Sequence, residues 1–257
     1  DFPRIAAAGS NVYVVYTDLA SGAVKIRISH DYGATWTATT LGSTTRIESG
    51  SRFALPVVAA FGSSVAVAWV STNSGTVKYR WSSSRGSTWN ALTTVGGGAY
   101  YGSQLSIAMN GTRVAIGWPS SGGYTFRLRS GTSWFPIRSV MPSAGGERSY
   151  AYAWSGSVAL SGTAGVAVAF ESCWGGCSNE DDWDDYRADV VWRESADNGA
   201  TWFHSQAVLR GGIADFPYAY WPSLVWPTPT RRYVMSSMWY APNELDNVKI
   251  SVGTGTP

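Results

Sequence analysis

The sequence predicts an all-β protein built from repeats, and two observations carry this prediction. A turn motif with the spacing S-x-D-x-G-x-T-W occurs in full at residues 29–36 and 195–202, and in degenerate form at residues 82–89 and 130–134. Short runs rich in Val, Ile and aromatic residues alternate with Gly, Ser and Asn turns, as β-strands do, and no stretch has sustained helical periodicity. A turn that recurs about every fifty residues is typical of a repeat architecture.

Each repeat can be written out strand by strand. A first strand ends at a glycine turn, found at Gly9, Gly62, Gly111 and Gly162. A second strand ends on an aromatic residue, a third leads into the turn motif, and a weaker fourth follows. The last repeat has no turn motif and stops before a fourth strand. The approximate repeats, within a single domain, are 1–50, 51–100, 101–147, 148–214 and 215–257.

Five such units in radial array predict a β-propeller of five blades, mostly of four antiparallel strands, because radial repetition leaves few exposed sheet edges. Ring closure is the weak point of this prediction, since the last unit has only three strands. Two alternatives therefore stay open: a truncated six-bladed parent, or a ring closed by a partner.

The turn motif itself has a physical explanation. A short Asp side chain accepts hydrogen bonds from nearby backbone N–H groups, glycine supplies a positive φ, and a Trp side chain buries a large apolar area. The motif resembles the Asp-box, or BNR repeat, of sialidase-like β-propellers. That resemblance implies a structural role, at the turn joining the two outer strands of a blade, away from the active site. The structural residues are Asp31, Gly33, Trp36, Gly86, Trp89, Trp134, Asp197, Gly199 and Trp202.

Composition excludes several classes of function. The net charge is +2, charged residues make up 14% of the chain and hydrophobic residues 44%, so disorder is not expected. No basic run exceeds two residues, which argues against nucleic acid as a partner, and no apolar run is long enough to span a bilayer. Because the chain starts at Asp1 without Met, we expect a removed leader or a trimmed chain, and an extracellular or periplasmic location.

An insertion in the fourth repeat, residues 171–187, carries two features of its own. Cys173 and Cys177 flank Trp-Gly-Gly and are predicted to form a small disulfide loop, with two thiols as the alternative. The acidic residues that follow could bind Ca²⁺ through oxygen ligands, but a solvated acidic loop is the preferred interpretation. No other cofactor is indicated. The candidate metal ligands are Asp181, Asp182, Asp184 and Asp185.

Aromatic residues cluster just before the first strands of several repeats and inside the insertion. They could stack on sugar rings, whose C–H faces are apolar, or they could pack between blades. The family resemblance implies that the loops that vary between repeats lie on the face opposite the turn motif, and function concentrates in such loops. The candidate ligand-binding residues are Tyr101, Tyr150, Tyr152, Trp174, Tyr218 and Tyr220.

Charged residues on the same variable face are the candidates for catalysis. Arg4 occupies a position that is small or neutral in the other repeats, and with Arg52 and Arg148 it resembles the arginine triad with which sialidases bind a carboxylate. Unrelated surface arginines are the alternative. Glu147, Glu171 and Tyr218 could serve as acid, partner or nucleophile. The wider set of acidic residues on this face also includes Asp18, Glu48 and Asp215.

These patterns predict a secreted recognition module that binds glycan or a protein partner through its aromatic loop face, as a single protein or as a subunit of a larger extracellular assembly. The alternative is a sialidase-like glycoside hydrolase that uses an arginine cluster, a Tyr nucleophile and carboxylates. A fold does not fix a function, so the two hypotheses are separated by the site.

Overall fold

Strands are the only regular elements in the part of the chain that the structure describes, which confirms the all-β prediction. The structure is a computed structural model. No helix within the described ranges is long and apolar enough to cross a membrane. The described residues are 3–43, 55–71, 74–99, 104–120, 123–140, 152–175, 187–209, 218–225, 233–241 and 244–253.

The strands form five antiparallel sheets, each of which lies within one of the predicted repeats. Sheet 1 contains β1 (Arg4–Ala8), β2 (Asn11–Asp18), β3 (Ala23–Ser29) and β4 (Thr37–Ser43). Sheet 2 contains β5 (Val57–Phe61), β6 (Ser64–Ser71), β7 (Thr76–Ser82) and β8 (Thr93–Gly96). Sheet 3 contains β9 (Ser106–Asn110), β10 (Arg113–Ser120), β11 (Gly123–Ser130), β12 (Ser133–Trp134) and β13 (Arg138–Val140).

The two remaining sheets are built from longer strands. Sheet 4 contains β14 (Tyr152–Ser161), β15 (Gly165–Gly175), β16 (Arg187–Ser195) and β17 (Phe203–Leu209). Sheet 5 contains β18 (Tyr218–Val225), β19 (Tyr233–Ala241) and β20 (Glu244–Gly253). In sheets 1, 2, 4 and 5 the strands pair in chain order, whereas in sheet 3 both β12 and β13 pair with β11. Sheets of this kind, with neighbours in sequence paired by short turns, are antiparallel meanders.

The chain divides into two compact units. Unit 1 comprises Asp1–Ile116 and Arg127–Pro136, and unit 2 comprises Gly117–Phe126 and Ile137–Pro257. The boundary between the units therefore passes through sheet 3.

The core of unit 1 contains side chains from two adjacent sheets. Tyr13 and Val15 of β2 alternate with less buried neighbours, as expected when one face of a sheet is covered. That covered face packs against the apolar face of sheet 2, where Trp69 is fully buried. The Trp69 ring leaves no room for a side chain at Gly42, since an added Cβ would lie 2.7 Å from Cζ2. The aromatic residue that ends the second strand thus fills the space between sheets.

An arginine on the third strand links each of two sheets to the sheet before it. Arg80 donates from Nε to the carbonyl oxygen of Asn90, in the connection between β7 and β8, at 2.9 Å, and from Nη1 to the carbonyl oxygen of Leu41 at 3.0 Å. The register of β4 shifts at Leu41, and a bulge of this kind takes a residue out of the regular ladder. The arginine therefore binds a carbonyl that the bulge presents.

Arg127 repeats this arrangement one sheet further along. It donates from Nε to the carbonyl oxygen of Phe135 at 3.0 Å, and from Nη1 to that of Val95 at 2.8 Å. Val95 lies at the register shift of β8, in the position that Leu41 has in β4. The equivalent residue of sheet 1, Arg27, is exposed and has no hydrogen-bond partner among the described residues.

The face that carries this arginine is exposed in sheet 1, whereas in sheet 2 it is covered by sheet 1. Val14 pairs with Ile5 on one side and with Arg27 on the other, so the three side chains form a row across the sheet. Ile5 is 68% exposed, whereas Val58, its counterpart in sheet 2, is 8% exposed because sheet 1 covers it. The face of sheet 1 that carries Ile5, Val14 and Arg27 thus has the residue types of a packed face, although Ile5 and Arg27 are exposed.

The two full copies of the turn motif, here called box turns, have the same hydrogen bonds. In the first, the Asp31 carboxylate accepts from Thr35 N at 2.8 Å and from Thr35 Oγ1 at 2.6 Å, and Gly33 N donates to Ser29 Oγ at 2.7 Å. In the second, Asp197 accepts from Thr201 N and Oγ1 at the same two distances. The Asp closes the turn as the sequence predicts.

The degenerate copy at residues 82–89 keeps the turn with a hydroxyl in place of the carboxylate. Ser84 Oγ accepts from Thr88 N at 3.0 Å and is 2.7 Å from Thr88 Oγ1. Gly86 N donates to Ser82 Oγ at 2.9 Å, as in the full copies. One oxygen therefore replaces two, and the turn is retained without a charge.

Glycine in the box turn is required by both conformation and space. Gly86 and Gly199 have φ of +88° and +84°, in the region that favours glycine. A Cβ at Gly86 would collide with Ile28, and one at Gly199 with Phe126, so each turn rests on the third strand of the preceding sheet. Trp202 completes that contact with an edge-to-face packing on Phe126 at 5.4 Å between ring centroids.

The shortened copy in sheet 3 keeps the Trp contact alone. Trp134 packs edge-to-face on Tyr79, with 5.2 Å between the ring centroids. Burial raises the pKa of Tyr79 to about 12, against a smaller opposite effect of Arg129. Arg129 lies over the Trp81 ring at 4.2 Å, a cation–π contact that holds sheets 2 and 3 together where the box turn is reduced.

The arginine links predict an unequal effect of the same substitution at equivalent positions. Replacing Arg80 by Gln should lower the free energy of unfolding by about 2 kcal/mol, because hydrogen bonds from a charged donor to two carbonyls are lost. Arg27→Gln is the matched control and should have little effect. Urea unfolding followed by tryptophan fluorescence measures both. Equal losses in the two variants would contradict the assignment of Arg80 as a link between sheets.

The box turns predict a pH dependence. Hydrogen bonds from the Thr201 hydroxyl, the Thr201 N–H and the Ser195 hydroxyl lower the pKa of Asp197 to about 2, below the value of about 3.9 in an unfolded chain. A lowered pKa stabilises the fold above about pH 4, and this contribution is lost as the pH falls through 2. In Asp197→Ser, which has the residue of the degenerate turn, the loss of stability between pH 4 and pH 2 should be smaller than in the wild type.

The same measurement needs one further comparison. Thr35 and Ser29 also lower the pKa of Asp31 to about 2. In Asp31→Ser, the loss of stability between pH 4 and pH 2 should therefore likewise be smaller than in the wild type. Asp18 titrates in the same range because Lys25 lowers its pKa to about 2. Since Asp18 is present in the wild type and in both variants, it does not contribute to the differences between them. Parallel stability curves for wild type and both variants from pH 7 to pH 2 would show that the box carboxylates do not contribute.

Candidate functional site

The fourth sheet departs from the first three at the strand ends opposite its box turn. Its first three strands have 10, 11 and 9 residues, against 5, 8 and 7 in sheet 1. The additional residues lie where the second strand leads into the third, which is the variable face predicted from the sequence. We call the polar residues on this part of the sheet the extension cluster. Its members are Ser155, Glu171, Ser172 and Asp189.

Glu171 is the acidic residue of the extension cluster nearest to the start of the insertion. Its side chain is 2% exposed, and its Oε2 accepts a hydrogen bond from Ser155 Oγ at 2.9 Å. Ser155 is itself buried, and it lies at a register shift in β14 between Ala153 and Gly156. The structure thus places Glu171 inside the protein, in a low-dielectric environment where a carboxyl group needs hydrogen-bond donors.

Asp189 and Ser172 belong to the other side of the same sheet. They are directly opposite each other on β16 and β15, and both are buried. Since successive side chains of a strand point to opposite faces, Ser172 and Glu171 project from opposite sides of sheet 4. Asp189 is therefore separated from Glu171 by the sheet and cannot share a ligand group with it across one face.

An aromatic stack fixes the strand that carries Glu171. The rings of Tyr124 and Phe170 are parallel to within 4°, with 5.6 Å between their centroids. Glycines at 117 and 156 border Tyr124, and an added Cβ would lie 2.7 Å from ring atoms at Gly117 and 2.8 Å at Gly156. Because Phe170 precedes Glu171, the stack on one face of β15 fixes the direction of Glu171 toward the other.

The predicted aromatic ligand-binding residues fall partly within the described strands. The backbone places Tyr152 at the start of β14, opposite Cys173, and Trp174 at the end of β15. Tyr218 begins β18 and Tyr220 follows two residues later, opposite Tyr240 and Met238 respectively. These four residues share the variable ends of sheets 4 and 5. Tyr101 and Tyr150 lie outside the described residues.

The predicted arginine triad is represented by one member. Arg4 begins β1, is exposed, and pairs with Val15 of the next strand. Arg52 and Arg148 lie outside the described residues, so the triad stays a prediction.

Of the other predicted carboxylates, one lies within the described residues and three lie outside them. Asp18 accepts from Lys25 Nζ at 2.6 Å and from Ser21 Oγ at 2.7 Å, which closes the turn between β2 and β3. This ion pair explains Asp18 without a ligand. Glu48, Glu147 and Asp215 lie outside the described residues.

The predicted disulfide and metal site concern the insertion. Cys173 is placed on β15 by its backbone, while Cys177 lies outside the described residues, as do Asp181, Asp182, Asp184 and Asp185. Across the ranges that the structure describes, no group of three or more His, Cys, Asp and Glu side chains is arranged to hold a metal ion. The calcium site remains a prediction from the sequence.

Comparison with known proteins adds information at the level of the fold. No family model and no curated protein sequence matches the chain. The structure is similar to a Penicillium chrysogenum α-L-arabinanase complexed with arabinobiose, with a TM-score of 0.50 and 11% identity over 93% of this chain and 77% of that one.

It is also similar to the GH93 α-L-arabinofuranosidase of Fusarium graminearum with arabinobiose, with a TM-score of 0.51 and 15% identity over 97% of this chain and 79% of that one. The fold is of the β-propeller type. At these identities the likeness concerns the fold alone, and the number of blades stays a prediction.

Sequence reasoning identified Glu171 but missed Ser155. The register shift in β14 changes the alternation of side chains, and such bulges often redirect a side chain near a functional site. A signal was present in the sequence, because Gly156 follows Ser155 and glycine inside a strand often marks a bulge or a close approach.

The aromatic stack beside Glu171 gives a prediction for the glycine that borders it. Gly156→Ala should lower the free energy of unfolding by about 1–3 kcal/mol, because the added methyl group meets the Tyr124 ring and the core must shift. Gly97→Ala is the control, since nothing lies within 4 Å of its Cβ position. Urea unfolding measures both, and a tolerated alanine at position 156 would contradict the close contact with Tyr124.

Proposed function

We propose that this chain is a carbohydrate-active protein that hydrolyses glycosidic bonds, with Glu171 as one of its two acidic groups. The observation that carries the proposal is the buried Glu171 carboxyl group, hydrogen-bonded by Ser155 at the variable end of sheet 4. Glycoside hydrolysis requires a pair of carboxyl groups, or a Tyr nucleophile with a supporting Glu, and burial is the usual means of adjusting a carboxyl pKa to that task.

Glu171 is an exception within the repeat, which supports a role beyond folding. It follows the aromatic residue that ends the second strand, and the counterparts in the first three repeats are Thr17, Val70 and Pro119. A repeat that packs well with neutral residues at this position has no structural need of a carboxylate. Burying one costs free energy unless hydrogen bonds compensate.

The second acidic group is to be sought outside sheet 4. Asp189 is excluded because it projects from the opposite face of the sheet, and Asp18 is engaged by Lys25. Glu194 lies on the same face as Glu171 but about 13 Å along the strands, which is beyond the separation of a catalytic carboxyl pair. The candidates that remain from the sequence are Glu147, Glu48 and Asp215, with Tyr218 as the alternative nucleophile. In the sequence, each of these residues precedes or begins the first strand of a repeat.

The proposed substrates are glycans that contain arabinose. The arabinanase and the arabinofuranosidase named above have the same type of fold, and both were described with arabinobiose. The aromatic residues Tyr152, Trp174, Tyr218 and Tyr220 would supply surfaces on which sugar rings stack. Sialosides are the second substrate class, on the strength of the resemblance of Arg4, Arg52 and Arg148 to an arginine triad.

Activity on a defined panel tests the proposal. We expect hydrolysis of a nitrophenyl α-L-arabinofuranoside or of linear arabinan, and a decrease of kcat/KM by a factor of about 10² to 10⁴ in Glu171→Gln, as for the loss of a general acid or base. Asp18→Asn, which removes a half-buried carboxylate that is paired with Lys25, should retain activity. A fluorogenic sialoside in the same panel, with Arg4→Ala, tests the second substrate class.

The contrary outcomes are separable. If Glu171→Gln is as active as the wild type, the assignment of Glu171 is wrong. If no glycoside is turned over while calorimetry detects oligosaccharide binding, the protein is the recognition module predicted from the sequence. Silence in both measurements would contradict a carbohydrate function.

A further inference from the structure

We infer that Ser155 is a positioning residue for the Glu171 carboxyl group, and that the bulge in β14 exists at this point to bring its hydroxyl there. The inference rests on the proposed function and goes beyond it, because it assigns a role to a residue that touches Glu171 rather than substrate. Ser155 Oγ donates to Glu171 Oε2 at 2.9 Å.

The bulge explains how a residue on the first strand reaches a residue on the second. Ala153 is opposite Ser172 and Gly156 is opposite Phe170, so β14 has two residues, 154 and 155, where β15 has only Glu171 between its paired residues. An additional residue in one strand removes the strict alternation of side chains. Ser155 thereby lies beside Glu171 with its side chain directed to the carboxylate.

Burial gives this hydrogen bond its effect. Ser155 is 4% exposed and Glu171 is 2% exposed, so water does not compete for the interaction as it does at the surface. A donor to a carboxylate favours the ionised form and lowers the pKa of the group. The Ser155 hydroxyl therefore orients Glu171 and stabilises its ionised form.

The described strands packed around Glu171 contribute the following charged and titratable groups. On β16, Glu194 faces the same side as Glu171 but is opposite Ala167, four residues along β15 and about 13 Å away at the usual rise per residue. Asp189 projects from the other face of the sheet. The strand β18, which packs on β14, β15 and β16 within the same unit, contains no Asp, Glu, Lys, Arg or His, and neither does β14. The titratable residues of these two strands are the tyrosines Tyr218, Tyr220 and Tyr152.

The same strand contains a matched control. Ser157, two residues further along β14, accepts a hydrogen bond at Oγ from Leu224 N at 3.0 Å. Its hydroxyl joins β14 to the backbone of β18 and does not touch a titratable group. Ser155→Ala and Ser157→Ala each delete one hydroxyl from the same strand, but only the first deletes a donor to Glu171.

The experiment compares the pH profiles of kcat/KM for wild type, Ser155→Ala, Ser155→Thr and Ser157→Ala. In Ser155→Ala the limb that reports Glu171 should move up by about one pH unit, since a hydrogen bond to a charged group corresponds to about that shift. If Glu171 acts as an acid this is the alkaline limb, and if it acts in its ionised form it is the acid limb. Ser155→Thr, which restores a hydroxyl, should return the apparent pKa of that limb to the wild-type value. Ser157→Ala should leave this apparent pKa unchanged.

A second readout does not depend on activity. In protein labelled with ¹³C-glutamate, the Glu171 carboxyl resonance is assigned by its absence in Glu171→Gln and followed through a pH titration. Its midpoint should rise by about one pH unit in Ser155→Ala and remain unchanged in Ser157→Ala. If Ser155→Ala does not fold, Ser155→Cys keeps the side-chain length with a weaker donor and should give a smaller rise.

The two readouts separate the inference from the function on which it rests. A shifted titration without turnover of any glycoside would support the contact between Ser155 and Glu171 and contradict the hydrolase. Turnover that requires Glu171, with titration and pH profile unchanged in Ser155→Ala, would contradict the positioning role and leave the hydrolase standing. Equal shifts in Ser155→Ala and Ser157→Ala would reduce Ser155 to a structural residue.

Discussion

In sheets 1 to 3, the packing of one sheet on the next is directed by a hydrogen bond between an arginine and a displaced carbonyl. A sheet presents few hydrogen-bonding groups on its faces, because the ladder uses the backbone groups within the sheet. The bulges at Leu41 and Val95 present one carbonyl each, and Arg80 and Arg127 bind them from the following sheet. Apolar contacts between sheets are not directional, whereas this bond fixes how far along the strands one sheet can slide on the other.

The box turn adds a second contact between the same sheets, at one end of the strands. Its Asp, Ser and Thr residues bond to one another within the turn, while its Gly and Trp residues contact the preceding sheet. The degenerate copies show which of these functions is dispensable. Ser84 replaces Asp in one turn and the shortened turn retains only Trp134, so contact with the neighbouring sheet persists where the carboxylate does not. The Asp side chain is thus a means of closing the turn.

Much of this arrangement could be predicted from the sequence, and the limits have physical causes. The glycine turns and the strands between them follow local rules, and Gly9, Gly62, Gly111 and Gly162 all have the positive φ expected of such turns. The role of Arg80 could not be predicted, since it depends on a register shift in another sheet. Glu171 was a candidate because it departs from the repeat, but Ser155 became one only when the bulge in β14 placed it beside Glu171.

The contrast between equivalent residues shows that context determines what each side chain contributes. Arg27 and Arg80 have the same position on the third strand, yet among the described residues only Arg80 donates to a carbonyl of another sheet. Trp36 is 38% exposed although Trp134 and Trp202 each pack on an aromatic ring of the preceding sheet. The same reasoning applies to acidic residues. Asp31 and Asp197 are exposed and engaged within a turn, whereas Glu171 is buried at the opposite end of its sheet. A carboxylate repeated with the fold is explained by the fold, whereas a carboxylate that departs from the repeat, as Glu171 does, requires another explanation.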